Sequence, residues 1–194
     1  MARPDPDALL RQAVARHQAG DAAEAGRLYR RVLALRPNDG NALNLLGQLA
    51  RARGDLESAL SLSGRAVALY PGAPVYLAAH GTNLAEAGRL DQAAAALRAA
   101  LRARPADATS LRNLGQVLCA LGRAAEALAP LRQAVALQSA MVHPAGAQPG
   151  MAHLTMTHQA EAHLALAHAC REAGLPGEAA TEAALAAAAA DRAG

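Results

Sequence analysis

The sequence predicts an all-α array of stacked helix pairs, and three observations carry that reading. Aromatic and strand-forming residues are scarce: the 194 residues are 53% hydrophobic but 2% aromatic, with no Trp, no Phe and three Tyr. Alanine and leucine must then build the core, and alanine loses no side-chain entropy in a helix and lets helices approach closely. Landmark residues also return every 34 positions, as in an architecture built from repeated units.

The landmarks order the elements. After a short tail at 1–5, residues 6–139 divide into four units, at about 6–39, 40–73, 74–107 and 108–141. Gly20, Gly54, Gly88 and Gly122 sit where a first helix should end, because glycine takes the left-handed cap conformation without strain. Acids follow within a turn (Asp21 and Glu24, Asp55 and Glu57, Asp91, Glu126) and suit the start of a second helix. Pro37, Pro71 and Pro105 end that second helix. Gly47, Gly81 and Gly115, with Ala25, Ala59, Ala93 and Ala127, supply small residues where the two helices of a unit cross. Between these marks apolar residues recur at three- and four-residue steps, as in Leu111, Leu114, Leu118 and Leu121.

The spacing then breaks. The next matching glycine, Gly174, lies 52 residues after Gly122, which implies an 18-residue insertion. Residues 140–157, with two prolines and two glycines, are expected to form a loop, the following helix starting early, near 151–156. Residues 158–194 then form a fifth, degenerate helix pair whose last helix, about 176–192, has a mostly alanine face.

A 34-residue helix–turn–helix with a large residue, Leu-Gly, a later Ala and a terminal Pro resembles the tetratricopeptide repeat family. Leu43, Leu46-Gly47, Ala50, Ala59 and Pro71 carry the pattern in the second unit; Leu111, Leu114-Gly115, Leu118 and Ala127 carry it in the fourth. The resemblance implies a right-handed superhelix of antiparallel helix pairs, with the first helices lining a concave groove. It places Asn41, Asn44, Gln48 and Arg51 on that groove in the second unit, and Ala78, Thr82 and Glu86 in the third. Thr109, Arg112, Asn113, Gln116 and Cys119 follow in the fourth, and Leu10, Val14 and His17 in the first. Amide side chains there can bond the backbone of an extended peptide through both donors and acceptor. Two family patterns are not met. The chain has no lysine for a carboxylate clamp, and Asn113 alone occupies the usual asparagine-ladder place.

Charge and chemistry exclude other classes. The formal net charge is +3, split as 17 Arg against 11 acids in 1–138 and two against five in 139–194. The arginines are dispersed and lack aromatic partners for stacking bases, so no nucleic acid is expected. Arg30, Arg98 and Arg132 recur at multiples of 34 and read as a solvated outer face or a stripe for an acidic partner. No apolar run is long enough for a membrane span. Cys119 and Cys170 read as small thiols with no disulfide framework, and the cytoplasm is the expected compartment. His153, His158, His163 and His168 recur every five residues, with His143 upstream. That step turns the side chains apart instead of stacking them as ligands, so no metal and no cofactor is expected. No nucleophile elbow, phosphate loop or carboxylate pair suggests catalysis.

The expected function is a non-enzymatic adaptor holding a protein or peptide in its groove. The alternative is the targeting module of a larger or associated glycosyl- or sulfotransferase-type enzyme. A homodimer through the alanine-rich last helix is a further expectation.

Overall fold

The computed structural model describes residues 5–141 and 149–191, side chains within 141–155 excepted. Among the described residues there are ten α-helices and no strand. They fall into two units, Met1–Arg89 and Leu90–Gly194. The first holds α1 (Pro6–Gln18), α2 (Ala22–Leu35), α3 (Gly40–Ala52), α4 (Leu56–Leu69) and α5 (Pro74–Glu86). The second holds α6 (Leu90–Ala103), α7 (Ala108–Ala120), α8 (Ala124–Met141), α9 (Pro149–Glu172) and α10 (Pro176–Asp191). Helix starts at Pro6, Gly40, Pro74 and Ala108 step by 34, as do those at Ala22, Leu56, Leu90 and Ala124.

The turns inside the helix pairs are built identically. Gly20, Gly54, Gly88, Gly122 and Gly174 all have φ between 73° and 80°. Around Gly20 the amide of Asp21 donates to the Arg16 carbonyl at 2.9 Å and that of Gly20 to His17 at 3.0 Å. The same two bonds recur at the other four turns, so orphan carbonyls at each helix end are satisfied. Acids after the glycine cap the next helix where they occur: Asp21 accepts from the Glu24 amide and Asp55 from the Ser58 amide.

A second capping column opens the first helices. Asp5, Asp39 and Asp107 cap α1, α3 and α7, so Asp5 belongs to the fold and not to a tail. Ala73 holds that place before α5 and offers no side-chain cap. The second helices α2, α4 and α6 end just before Pro37, Pro71 and Pro105. Ser139 takes the proline's column in the next unit, and α8 runs through it to Met141. The expected loop at 140–157 is corrected accordingly: 140–141 and 149–157 are helical, and 142–148 lie outside the described residues. Proline at a helix's first position gives up no needed hydrogen bond, so Pro149 begins α9.

Each unit buries its own core. In the first, Leu9, Ala13, Ala25, Leu28, Tyr29 and Val32 pack together with Ala42 and Leu49. In the second, Leu97, Leu118 and Leu131 are fully covered, among buried alanines such as Ala93, Ala127 and Ala134. Gly115 on α7 has no room for a side chain, because Leu131 fills the place a Cβ would take. Gly47 differs: a Cβ there meets Leu62 at 3.5 Å, an ordinary contact.

One set of core positions has changed character as a group. Ser63 stands in the column of Tyr29, Leu97 and Leu131, His80 in that of Leu46 and Leu114, and Asn83 in that of Leu49 and Val117. Ser63 Oγ donates to the Ala59 carbonyl at 2.7 Å and lies 2.9 Å from His80 Nδ1. Asn83 Nδ2 donates to Ser63 Oγ at 3.0 Å and to Ala59 O at 3.1 Å. Three apolar residues are thus exchanged for a hydrogen-bonded cluster joining α4 to α5. No helix among the described residues is long and apolar enough to cross a membrane.

Candidate interaction surface

The first helices of adjacent pairs lie side by side within each unit, and polar bonds tie their faces. In the first unit Tyr76 Oη donates to Asn41 Oδ1 at 3.0 Å, near the starts of α3 and α5. Arg51 Nη1 donates to Glu86 Oε1 at 2.6 Å near their ends. Between these ties Gln48 and Thr82 are half-buried, and Thr82 Oγ1 donates to the Ala78 carbonyl at 3.0 Å. Asn44 is placed differently from its groove expectation. It is only 6% exposed, lying among the buried residues of α3, and is withdrawn from the accessible face.

In the second unit Thr109 and Gln116 are exposed on α7, with Arg112 and Asn113 half-buried. Arg112 Nη1 pairs with Glu161 of α9, while Arg112 Nε is buried without a hydrogen-bond partner. The Arg112 side chain is 14% exposed and Glu161 50%, so the pair is one shielded cation beneath one open carboxylate. The columns align Arg51 with Cys119 and, allowing for the insertion, Glu86 with Glu172. The ion pair of the first unit is therefore replaced by a thiol beside a carboxylate. Burial, then the charge of Glu172, raises the Cys119 thiol above its ordinary value. Burial does the same to Cys170, and neither environment makes a thiolate nucleophile.

Among the described residues the histidines do not converge. His158 is half-buried, His168 is exposed, and buried His163 places Nδ1 2.6 Å from Glu182 Oε2 of α10. His143 and the His153 side chain lie outside the described residues. Among the described residues no three of His, Cys, Asp and Glu gather as a metal site. Of the outer arginines, Arg30 is exposed, Arg98 lies 3.6 Å from Glu126 and Arg132 lies 2.5 Å from Glu178.

Family models described as tetratricopeptide repeat match residues 6–72 and 78–141. The chain belongs to the tetratricopeptide-repeat family. Solved structures agree on the all-α tetratricopeptide solenoid fold. The MamA RS-1 ArsTM double mutant is similar at a TM-score of 0.74 and 19% identity, over 98% of each chain. YrrB, described as a TPR protein with an unusual peptide-binding site, gives 0.69 and 16%, over 95% of this chain and 86% of that one. TTC0263, a thermophilic TPR protein in Thermus thermophilus, gives 0.70 and 26%, over 97% of this chain and 93% of that one. No curated protein matches the chain in sequence.

Tetratricopeptide columns also show what sequence reading missed. The first-helix caps Asp5, Asp39 and Asp107 and the Ser63, His80 and Asn83 exchange both stand out once residues are compared 34 apart. The ties of Arg51 to Glu86 and Asn41 to Tyr76 join residues 35 apart, a step that only helix packing reveals.

Proposed function

We propose that the chain is a non-catalytic scaffold that binds a peptide or protein segment along the faces of its first helices. The observation that carries this is the presentation of Gln48 and Arg51 on α3, and of Thr109 and Gln116 on α7, at positions that reach solvent. Amides and guanidinium groups there offer donors and acceptors to a partner's backbone without a buried pocket. The shared fold with YrrB, itself described as peptide-binding, supports the reading. The two free thiols, Cys119 and Cys170, fit a reducing compartment such as the cytoplasm. Affinity purification with the intact chain tests it, comparing the wild type with the Gln48→Ala, Arg51→Ala, Gln116→Ala triple variant. Partners recovered by the wild type and depleted with the variant support the reading. Equal recovery removes these faces as the site.

A second reading concerns α10. Its inward stripe is Ala179, Glu182, Ala186 and Ala189, while Ala183, Ala184, Ala187 and Leu185 are exposed, the last by 43%. This exposed apolar face is suited to pairing with a second copy. Sedimentation at rising concentration tests it, and a monomer throughout would remove the idea. A dimer that Leu185→Glu dissociates would support it.

A further inference from the structure

Two of the chain's three tyrosines stand together at one edge of the first unit. Tyr70 follows α4 and Tyr76 lies in α5, with ring centroids 5.5 Å apart and planes inclined by 57°. Gly40 makes room for them, since a Cβ there would fall 2.7 Å from both the Tyr70 ring and the Tyr76 hydroxyl. Tyr70 Oη donates to the Asn38 carbonyl at 2.9 Å, which fixes the ring against the 36–39 turn. The residue is nevertheless 42% exposed. A hollow of about 410 Å³ opens between Tyr70 and Arg36, Pro37, Asn38 and Asp39. Its size lies within the range of recognised ligand clefts.

The helices leading into these turns carry exposed apolar and basic residues. Leu35 and Leu69 end α2 and α4, 34 residues apart, and are 42% and 39% exposed. One helical turn before each stands an exposed arginine on the same face, Arg31 and Arg65. Arg65 Nη2 donates to the Pro37 carbonyl at 3.1 Å, which brings its charge to the hollow's edge. Neither Arg31 nor Arg65 has a carboxylate partner among the described residues. Arg36 differs: both its terminal nitrogens bond Asp7, at 2.7 and 2.6 Å, and Asp39 lies 3.9 Å away. The positive charge left uncompensated at this edge is therefore that of Arg31 and Arg65.

We propose that this edge of the first unit is a second docking surface, which takes a short acidic segment of a partner protein. An apolar side chain of the segment enters the Tyr70 hollow, and its carboxylates meet Arg31 and Arg65. Exposed apolar area beside unpaired like charges marks a surface suited to a partner of opposite sign. The groups that meet the segment, Tyr70, Arg31 and Arg65, lie on second helices and the turn after α4, apart from Gln48 on α3 and Gln116 on α7.

Fluorescence anisotropy with the intact chain and three labelled hexapeptides tests the proposal. The first is Asp-Glu-Leu-Leu-Glu-Asp, the second has Lys at each acidic place, and the third has Ser for both leucines. The acidic leucine peptide is expected to bind roughly tenfold more tightly than either control, and to weaken as salt rises. Arg31→Glu with Arg65→Glu should weaken it roughly tenfold, and Tyr70→Ala should weaken it without changing the salt slope. Gln48→Ala with Gln116→Ala should leave it unchanged, which separates this site from the first-helix faces. Equal binding of the lysine peptide, no binding of the acidic one, or indifference to the double charge reversal would each overturn the proposal.

Discussion

Leu131 of α8 occupies the space that a methyl group on Gly115 of α7 would need, and Leu131 is fully buried. A side chain so enclosed cannot swing aside. Gly115→Ala should therefore cost about 1–3 kcal/mol through overpacking. At the equivalent place in α3 a Cβ on Gly47 meets only ordinary contacts. Gly47→Ala should be neutral or stabilise by up to about 1 kcal/mol, the helix-propensity difference. Urea unfolding of both variants checks the contrast, and equal destabilisation would contradict it.

Ala73 has φ −80° and ψ 111°, close to the −70° and 105° of Asp39, and each opens a first helix. Only Asp39 carries a side chain that caps. Ala73→Asp should supply the missing acceptor and raise stability by about 0.5–2 kcal/mol. A raised thermal midpoint is the expected result, with Asp39→Ala showing the opposite sign.

Arg112 is a cation held in a largely covered site by one carboxylate, Glu161. Glu161→Ala leaves its guanidinium without that partner and should destabilise by about 1–3 kcal/mol. Arg112→Met removes the buried charge and should be close to neutral. Chemical denaturation of the two single variants and the double variant measures the coupling between them.

Burial, and secondarily the Arg89 guanidinium, holds the His80 imidazole below its ordinary 6.5. The folded chain then resists protonation that the unfolded chain accepts. Below about pH 6.5 the unfolded state binds more protons, so the stability present above that value is lost as pH falls toward the depressed folded value. Thermal midpoints should drop as pH falls below about 6.5, and His80→Leu should flatten that slope. An unchanged slope would exclude His80 as its source.

Helix pairing was legible in the sequence because each landmark has a local cause. A glycine at φ near +75° or a proline after a helix constrains its own neighbourhood, whatever lies far away. Candidate faces were harder to read. Asn44 and Gln48 are four residues apart with the same amide, yet one is buried and the other reaches solvent. What separates them is how neighbouring helices cover α3, and no local pattern encodes that. The expected loop at 140–157 carried the opposite lesson: Pro149 punctuates a helix start as readily as a loop.

The exchange of three apolar residues for Ser63, His80 and Asn83 gives the repeats an order. Ser63 gains its Asn83 donor and its His80 neighbour from α5 alone, and no other first helix carries that combination. If α7 or α9 took the place of α5 behind α4, it would present Leu114 and Val117, or Leu166 and Ala169, and bury the Ser63 hydroxyl beside hydrocarbon. Units that look interchangeable by their 34-residue spacing thus carry an address. The polar cluster works as a key that admits one successor and rejects the others.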